Sequence, residues 1–374
     1  MISRIIIKQV SSSLKAGRVV GIFGPRRSGK TTLMNLIKEE IGSSVLMVHG
    51  ENMDVAELLS SQRTSVLKRF IGNNKYLFID EAQEIPDIGV NLKLIADTIP
   101  EVAVLVSGSS GFDLKRKIGE PLVGRIRYFY LYQFSLLEIS AGDYLKQKET
   151  LEDQLIFGFY PQVYNSQTVE EKKIELQSIR DGYLLKDILK LDNLKDSLFI
   201  FNLLRLLAFQ IGNDVSYSEL ASNLNANKKT VMRYLELLEK SYVLFSHSGF
   251  SRNLRKEYSK SPRYYFWDNG IRNSIISNYN RPDLRDDMGQ LWENFIISER
   301  IKYMDNKHIP ANRFFWRTYE KKEIDLIEER DGILFAYECK YSKKAVKAPK
   351  DFILSYPESR FFVVTRDNYL DFLT

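Results

Sequence analysis

Cysteine is almost absent from this 374-residue sequence: Cys339 stands alone, so no disulfide can form within the chain. Histidine is nearly as scarce. His49, His247 and His308 are scattered, and with a single cysteine they offer no zinc-type cluster. Long apolar runs are missing too. The first residues hold only Ile5-Ile6-Ile7 in succession, too few for the apolar core of a signal peptide. The most apolar long stretch, residues 197–211, is broken by Asn202 and Arg205 and falls short of the ~20 residues a membrane span needs. These absences predict a chain without a membrane segment, at work in a reducing cytoplasm. Charge of one sign is also in short supply. Lys and Arg number 54 against 48 Asp and Glu, and the resulting +6 suits a polyanionic partner without demanding one. What is present is ordinary globular material: 44% hydrophobic and 12% aromatic residues, in a chain long enough for two to four units.

The most informative stretch is Gly24-Pro25-Arg26-Arg27-Ser28-Gly29-Lys30-Thr31-Thr32. It follows the apolar run Val19-Val20-Gly21-Ile22-Phe23 and opens into Leu33-Met34-Asn35-Leu36-Ile37, which reads as helix. Strand, Gly-x-x-x-x-Gly-Lys-Thr and helix are the setting of a phosphate-binding loop. Glycines let backbone N–H groups turn inward around an anion, and the helix adds its positive end to the same spot. Lys30 reaches the terminal phosphates and Thr31 offers a hydroxyl to Mg²⁺. The sequence thus predicts a nucleoside triphosphate site.

Further buried strands are expected at residues 44–48, 75–80 and 102–106. A parallel strand presents its carboxyl end to the ligand. Tyr76-Leu77-Phe78-Ile79 ends in Asp80-Glu81-Ala82-Gln83, some fifty residues after the loop. Asp80 at that place holds the Mg²⁺ shell with Thr31, and Glu81 polarises the attacking water. The run 102–106 ends in Ser107-Gly108-Ser109-Ser110. Ser107 and Ser109 are candidates to sense the γ-phosphate, with plain turn chemistry as the alternative. Arg125, in Leu122-Val123-Gly124-Arg125, is a candidate guanidinium for developing phosphate charge in its own subunit or a neighbour's; a surface arginine is the rival reading.

These four motifs resemble AAA-type archaeal and bacterial ATPases, the "GPRRxGKT" proteins that carry a C-terminal domain of unknown function. The likeness runs on through Gly158-Phe159-Tyr160-Pro161-Gln162-Val163, Tyr183-Leu184-Leu185-Lys186-Asp187-Ile188, Tyr264-Tyr265-Phe266-Trp267-Asp268-Asn269-Gly270 and Gly289-Gln290-Leu291-Trp292-Glu293-Asn294-Phe295. It therefore spans nearly the whole chain. Phe159 stands where glycine is usual, Lys186 where arginine is usual and Gln133 where proline is usual. Lysine keeps the charge but lacks the planar fork. The resemblance implies an additional-strand P-loop fold and ATP hydrolysis, and it supplies no substrate beyond the nucleotide.

Residues 150–210 are helical in period and predict a lid-like bundle. Residues 215–245 read as helix, turn, helix and strand. In the second helix, from Lys228 to about Lys240, Val231, Tyr234, Leu235 and Leu238 form the buried face, and Lys228, Lys229 and Arg233 project outward. A recognition helix meets a duplex in this way. Arg252, Arg255, Lys256, Lys260 and Arg263 then face one acid, Glu257, as a basic wing, and five phosphate contacts would make binding strongly salt-dependent. A packing module with a solvated charged face explains the same residues.

The last unit predicts a helix at Gln290–Ile296, strands at 313–318, 323–327 and 333–340, a helix near 345–354 and a strand at 360–365. Glu338 and Lys340 lie two apart on a strand and share a face, with Asp325 opposite on the paired strand. Two carboxylates and a lysine suit an oxygen-ligand Mg²⁺ site. Asp, twelve residues, then Glu-x-Lys resembles the PD-(D/E)xK nuclease pattern, and Glu293 matches the extra acid such folds often add. The same scaffold also serves to bind without cutting.

The expected organisation is α/β: a P-loop, AAA+-like ATPase domain at 1–145, a helical lid at 146–210, a winged helix at 211–284 and a nuclease-like α/β domain at 285–374. The leading expectation is an ATPase using ATP and Mg²⁺ to control elements that face DNA or RNA. A nucleotide-dependent scaffold or signalling switch, binding a protein partner or a second copy, is the rival from another class.

Overall fold

Short apolar runs that end in Gly, Asp or Ser become buried strands in the amino-terminal part of the computed structural model. The structure describes residues 2–109, 122–139, 144–184, 197–251, 261–318, 320, 322–342 and 346–374. Packing divides the chain into two compact units, Met1–Phe134 with Lys240–Tyr242, and Ser135–Glu239 with Val243–Thr374.

In the first unit the elements run α1 (Ile6–Ser13), β1 (Val19–Phe23), α2 (Lys30–Ile41), β2 (Val45–His49), α3 (Met53–Leu59), α4 (Thr64–Ile71), β3 (Tyr76–Asp80), α5 (Ile88–Thr98), β4 (Ala103–Gly108) and β5 (Ile126–Tyr130). The strands form one parallel sheet in the order β2-β3-β4-β1-β5. β4 lies between β1 and β3, which is the additional-strand arrangement of P-loop ATPases. Alternate residues feed two apolar layers. Val19, Phe23, Leu77 and Ile79 pack with α3 to α5 on one face, and Val20, Ile22, Phe78 and Leu105 with α1 and α2 on the other. Because every strand points the same way, all five carboxyl ends emerge at a single edge. The phosphate loop is there.

The second unit continues with α6 (Leu136–Ile139), α7 (Tyr144–Phe157), α8 (Pro161–Asn165), α9 (Val169–Ile179), α10 (Ser197–Phe209), α11 (Tyr217–Asn223), α12 (Lys228–Lys240), β6 (Leu244–Gly249), β7 (Arg263–Phe266), α13 (Asn269–Ile275), α14 (Met288–Asn306), β8 (Asn312–Arg317), β9 (Glu323–Arg330), β10 (Ile333–Cys339), α15 (Lys350–Ser355), β11 (Arg360–Val364) and α16 (Tyr369–Leu373). The helical stretch and the stretch expected to form a winged helix share one apolar core, which runs from Ile156 through Leu204, Leu220, Val231 and Leu238 to Ile275. The expected buried face of α12 is observed, with Val231, Tyr234, Leu235 and Leu238 all buried, and Leu237 joins it.

A mixed six-stranded sheet, β11-β10-β9-β8-β6-β7, completes this unit. β6 pairs antiparallel with β7 and parallel with β8, so the hairpin after α12 is part of the same sheet as the carboxyl-terminal strands. That sheet follows the expected order: helix α14, three antiparallel strands, α15, then β11 parallel to β10. Expected features at Ser110, 185–188, 252–260 and the start of the helix near Ala345 lie outside the described residues.

Candidate nucleotide site and a second, acidic pocket

The phosphate loop leaves β1 at Gly24, where a Cβ would come within 2.0 Å of the Leu131 carbonyl oxygen. Only glycine lets the backbone pass so closely. Arg27 and Gly29 take positive φ values of 64° and 96°, which curl the loop toward the start of α2. Gly29 caps that helix without a side-chain acceptor, so the first-turn amides are left for an anion. Ser28 is fully buried and its hydroxyl has no protein partner, as a ligand-facing group would be. Lys30 donates to the Gly24 and Pro25 carbonyls at 3.0 Å each. Burial pulls its pKa below the ordinary lysine value, against the opposing pull of Glu81 and Asp80. An incoming phosphate offers this ammonium a stronger acceptor than two carbonyls.

The neighbouring strand ends supply the rest. Thr31 Oγ1 donates to Asp80 Oδ2 at 2.5 Å, and the Ser107 hydroxyl donates to Asp80 Oδ1. The same hydroxyl accepts the Glu81 N–H at 3.1 Å. His49 Nδ1, from the end of β2, stands 3.6 Å from Asp80 Oδ2. Glu81 is left-handed (φ 50°), a conformation costing on the order of 1 kcal/mol in a non-glycine residue. Its turn swings the carboxylate back toward Gln83, whose Nε2 donates to Glu81 Oε2 at 2.5 Å and to Ser109 Oγ at 3.3 Å. One buried carboxylate beside one hydroxyl fits Mg²⁺, which takes few protein ligands and completes its shell with phosphate and water. Among the described residues no three His, Cys, Asp or Glu side chains form a metal cage.

In the second unit a cavity of about 480 Å³ gathers Arg263, Glu293, Glu323, Asp325 and Lys340. The Cys339 N–H donates to Asp325 Oδ2 at 2.8 Å, Tyr265 OH to Glu293 Oε1 at 2.8 Å, and Lys340 Nζ sits 2.6 Å from Glu338 Oε1. Glu338 Oε2 is buried without a partner. Burial and the Glu338 charge push Asp325 up to about 7; burial and Asp325 hold Glu293 well above the usual carboxylate range. Arg263 answers this crowding. It lies 4.0 Å from Glu293, 2.6 Å from Glu323 and 3.1 Å from Asp214. The four expected residues Glu293, Asp325, Glu338 and Lys340 thus do converge, and an arginine and a tyrosine from β7 join them.

Comparison with known proteins bears on the first site. Residues 16–140 match the AAA domain family, 148–281 a domain of unknown function (DUF8612), and 288–372 another domain of unknown function (DUF4143). Uncharacterized proteins of Mycobacterium tuberculosis and Mycobacterium bovis are each 26% identical over 337 residues, covering 88% of this chain and 71% of theirs. Among solved structures, the Thermotoga maritima RuvB Holliday junction branch migration motor aligns at 18% identity and TM-score 0.31, over 69% of this chain and 95% of its own. The replication initiator DnaA bound to AMPPCP and single-stranded DNA gives 13% and 0.30, over 63% and 86%.

Within the stretch that matches the AAA domain family, residues Gly24 to Thr32, Asp80, Glu81, Ser107 and Ser109 occupy adjoining ends of β1, β3 and β4, on the edge of the sheet where the sequence places them. Arg125 is not among them. Its carbonyl accepts the Val19 N–H at 3.1 Å and its side chain pairs with Asp97, so it sits at the amino ends of the strands. Five strand residues, about 17 Å, separate that edge from the phosphate loop. That position does not fit a role in its own subunit's phosphate site, and the neighbour's site and a surface arginine paired with Asp97 remain as readings. Arg263 also departs from expectation. It is 2% exposed and held by three acids, so it is no member of a basic wing facing phosphate. Lys228, Lys229 and Arg233 are exposed on α12. Sequence reasoning gave no role to Gln83, His49, Gly50, Tyr265 or Asp214. Gln83 had a signal, since it ends the quoted acidic motif.

Proposed function

We propose that the chain hydrolyses ATP at the loop Gly24 to Thr32 and uses nucleotide state to control its carboxyl-terminal unit, which acts on nucleic acid. The observation that supports this reading is the linked set Thr31, Asp80, Ser107 and Glu81 at the start of α2, where Lys30 is held by the Gly24 and Pro25 carbonyls. Lys30 moves from the Gly24 and Pro25 carbonyls to the terminal phosphates. Thr31 and Asp80 would hold Mg²⁺, which would supply positive charge against the phosphates. Glu81 accepts a proton from water as the water oxygen bonds to the γ-phosphorus and the bond to the ADP oxygen breaks. Ser107 orients Asp80 and the Glu81 backbone together. Glu81→Gln keeps the shape and removes the base. Turnover should fall by about 10²-fold or more while nucleotide affinity stays within about twofold. Parent-like turnover in this variant would undo the assignment.

A second reading concerns the acidic pocket, favoured by the convergence of Asp325, Glu338 and Lys340 with Glu293. It supports a nuclease-like centre working with an added divalent ion. Plasmid incubated with the full chain and Mg²⁺ or Mn²⁺ should be cut, with Asp325→Ala and Lys340→Ala inactive. Equal cutting by parent and variants would assign the activity to a contaminant. Intact plasmid throughout would leave the pocket as a binding surface, as the scaffold reading holds.

A further inference from the structure

We infer that Gln83 is a positioning residue for hydrolysis: its amide fixes the carboxylate of Glu81 against the end of β4. The inference rests on the ATPase reading above and deepens it. A glutamate side chain turns about three bonds, and a general base is effective only when aimed. Two features of the chain do the aiming. The left-handed backbone at Glu81 is anchored by its N–H to Ser107, and the single helical turn Ala82–Glu84 brings residue 83 back beside residue 81. The two hydrogens on Gln83 Nε2 are then divided between Glu81 Oε2 at 2.5 Å and Ser109 Oγ at 3.3 Å. The amide thus bridges the turn after β3 to the segment after β4.

An amide suits this place because it donates without competing for the proton that Glu81 must take up. The bond engages Oε2 and leaves Oε1 for the water. Gln83 Oε1 is itself buried and has no protein donor, so the amide is held by its nitrogen alone. Ser109 acquires a function different from the one its strand-end position suggests: it holds the holder.

The test uses the full chain and reads steady-state ATP hydrolysis beside equilibrium binding of labelled ATP. Gln83→Leu, close in size and without the donor, should lower kcat about tenfold or more while KM and ATP affinity stay within about twofold. Gln83→Glu should do the same, because it replaces the donor by a like charge. Ser109→Ala, which leaves the bond to Glu81 in place, should cost less than fivefold, again in kcat alone. Parent-like kcat in Gln83→Leu would overturn the inference. So would a raised KM at unchanged kcat, which would make Gln83 a part of the nucleotide pocket. If Gln83→Leu fails to fold, Gln83→Glu carries the same comparison. A parent chain that binds ATP and never hydrolyses it would remove the ATPase reading and this inference with it, an outcome distinct from active parent and active variant.

Discussion

A methyl group at Gly50 would sit 2.4 Å from the carbonyl oxygen of Glu81, a contact that no relaxation of a flexible side chain can relieve. The Gly50 N–H also donates to the Asp80 carbonyl at 2.8 Å. This glycine follows β2, far in sequence from the acids it accommodates, and it permits the left-handed turn that aims Glu81. Gly50→Ala should therefore displace the base rather than the phosphates. We expect kcat to drop about tenfold with ATP affinity nearly unchanged, read by the same paired assays. A variant that loses binding and keeps its rate per bound nucleotide would contradict this. Gly24 differs, since its Cβ would strike Leu131 and deform the phosphate loop itself.

At the scale of elements, the amphipathic period of α12 showed both its faces in advance, because a 3.6-residue repeat fixes which side chains turn outward. Reversing Lys228, Lys229 and Arg233 to Glu should abolish duplex binding in a low-salt gel shift, while parent binding should weaken steeply as salt rises. Unchanged binding would exclude this helix as the nucleic-acid face. Strands were harder to read. β7 is buried along its whole length, so alternation could not reveal that Arg263 turns inward to Glu293 and Glu323. The parallel pairing of β6 with β8 joins residues 66 positions apart, Ser248 with Phe314 and Gly249 with Phe315, and no local pattern announces it. Arg125 was legible in principle. It immediately precedes β5, and in an all-parallel sheet such a residue lies at the edge away from the phosphate loop; what was missing was the pairing of β5 with β1. The phosphate loop, by contrast, was written in full, because its chemistry lies in contiguous residues.

For the molecule as a whole, the division into two units separates two kinds of chemistry. The first unit holds a site for a polyanion built from amides, one lysine and a hydroxyl. The second holds crowded carboxylates beside Arg263 and Lys340, with the pKa values of Glu293 and Asp325 raised by burial, together with a helix that exposes Lys228, Lys229 and Arg233. No helix among the described residues is long and apolar enough to cross a membrane. Control of the second unit by nucleotide state presupposes that the first binds nucleotide. Equilibrium dialysis of the full chain against labelled ATP with Mg²⁺ addresses that directly. The account predicts uptake of about one ATP per chain, weakened about 100-fold or more in Lys30→Ala. No uptake by the parent chain, or equal uptake by parent and Lys30→Ala, would contradict it.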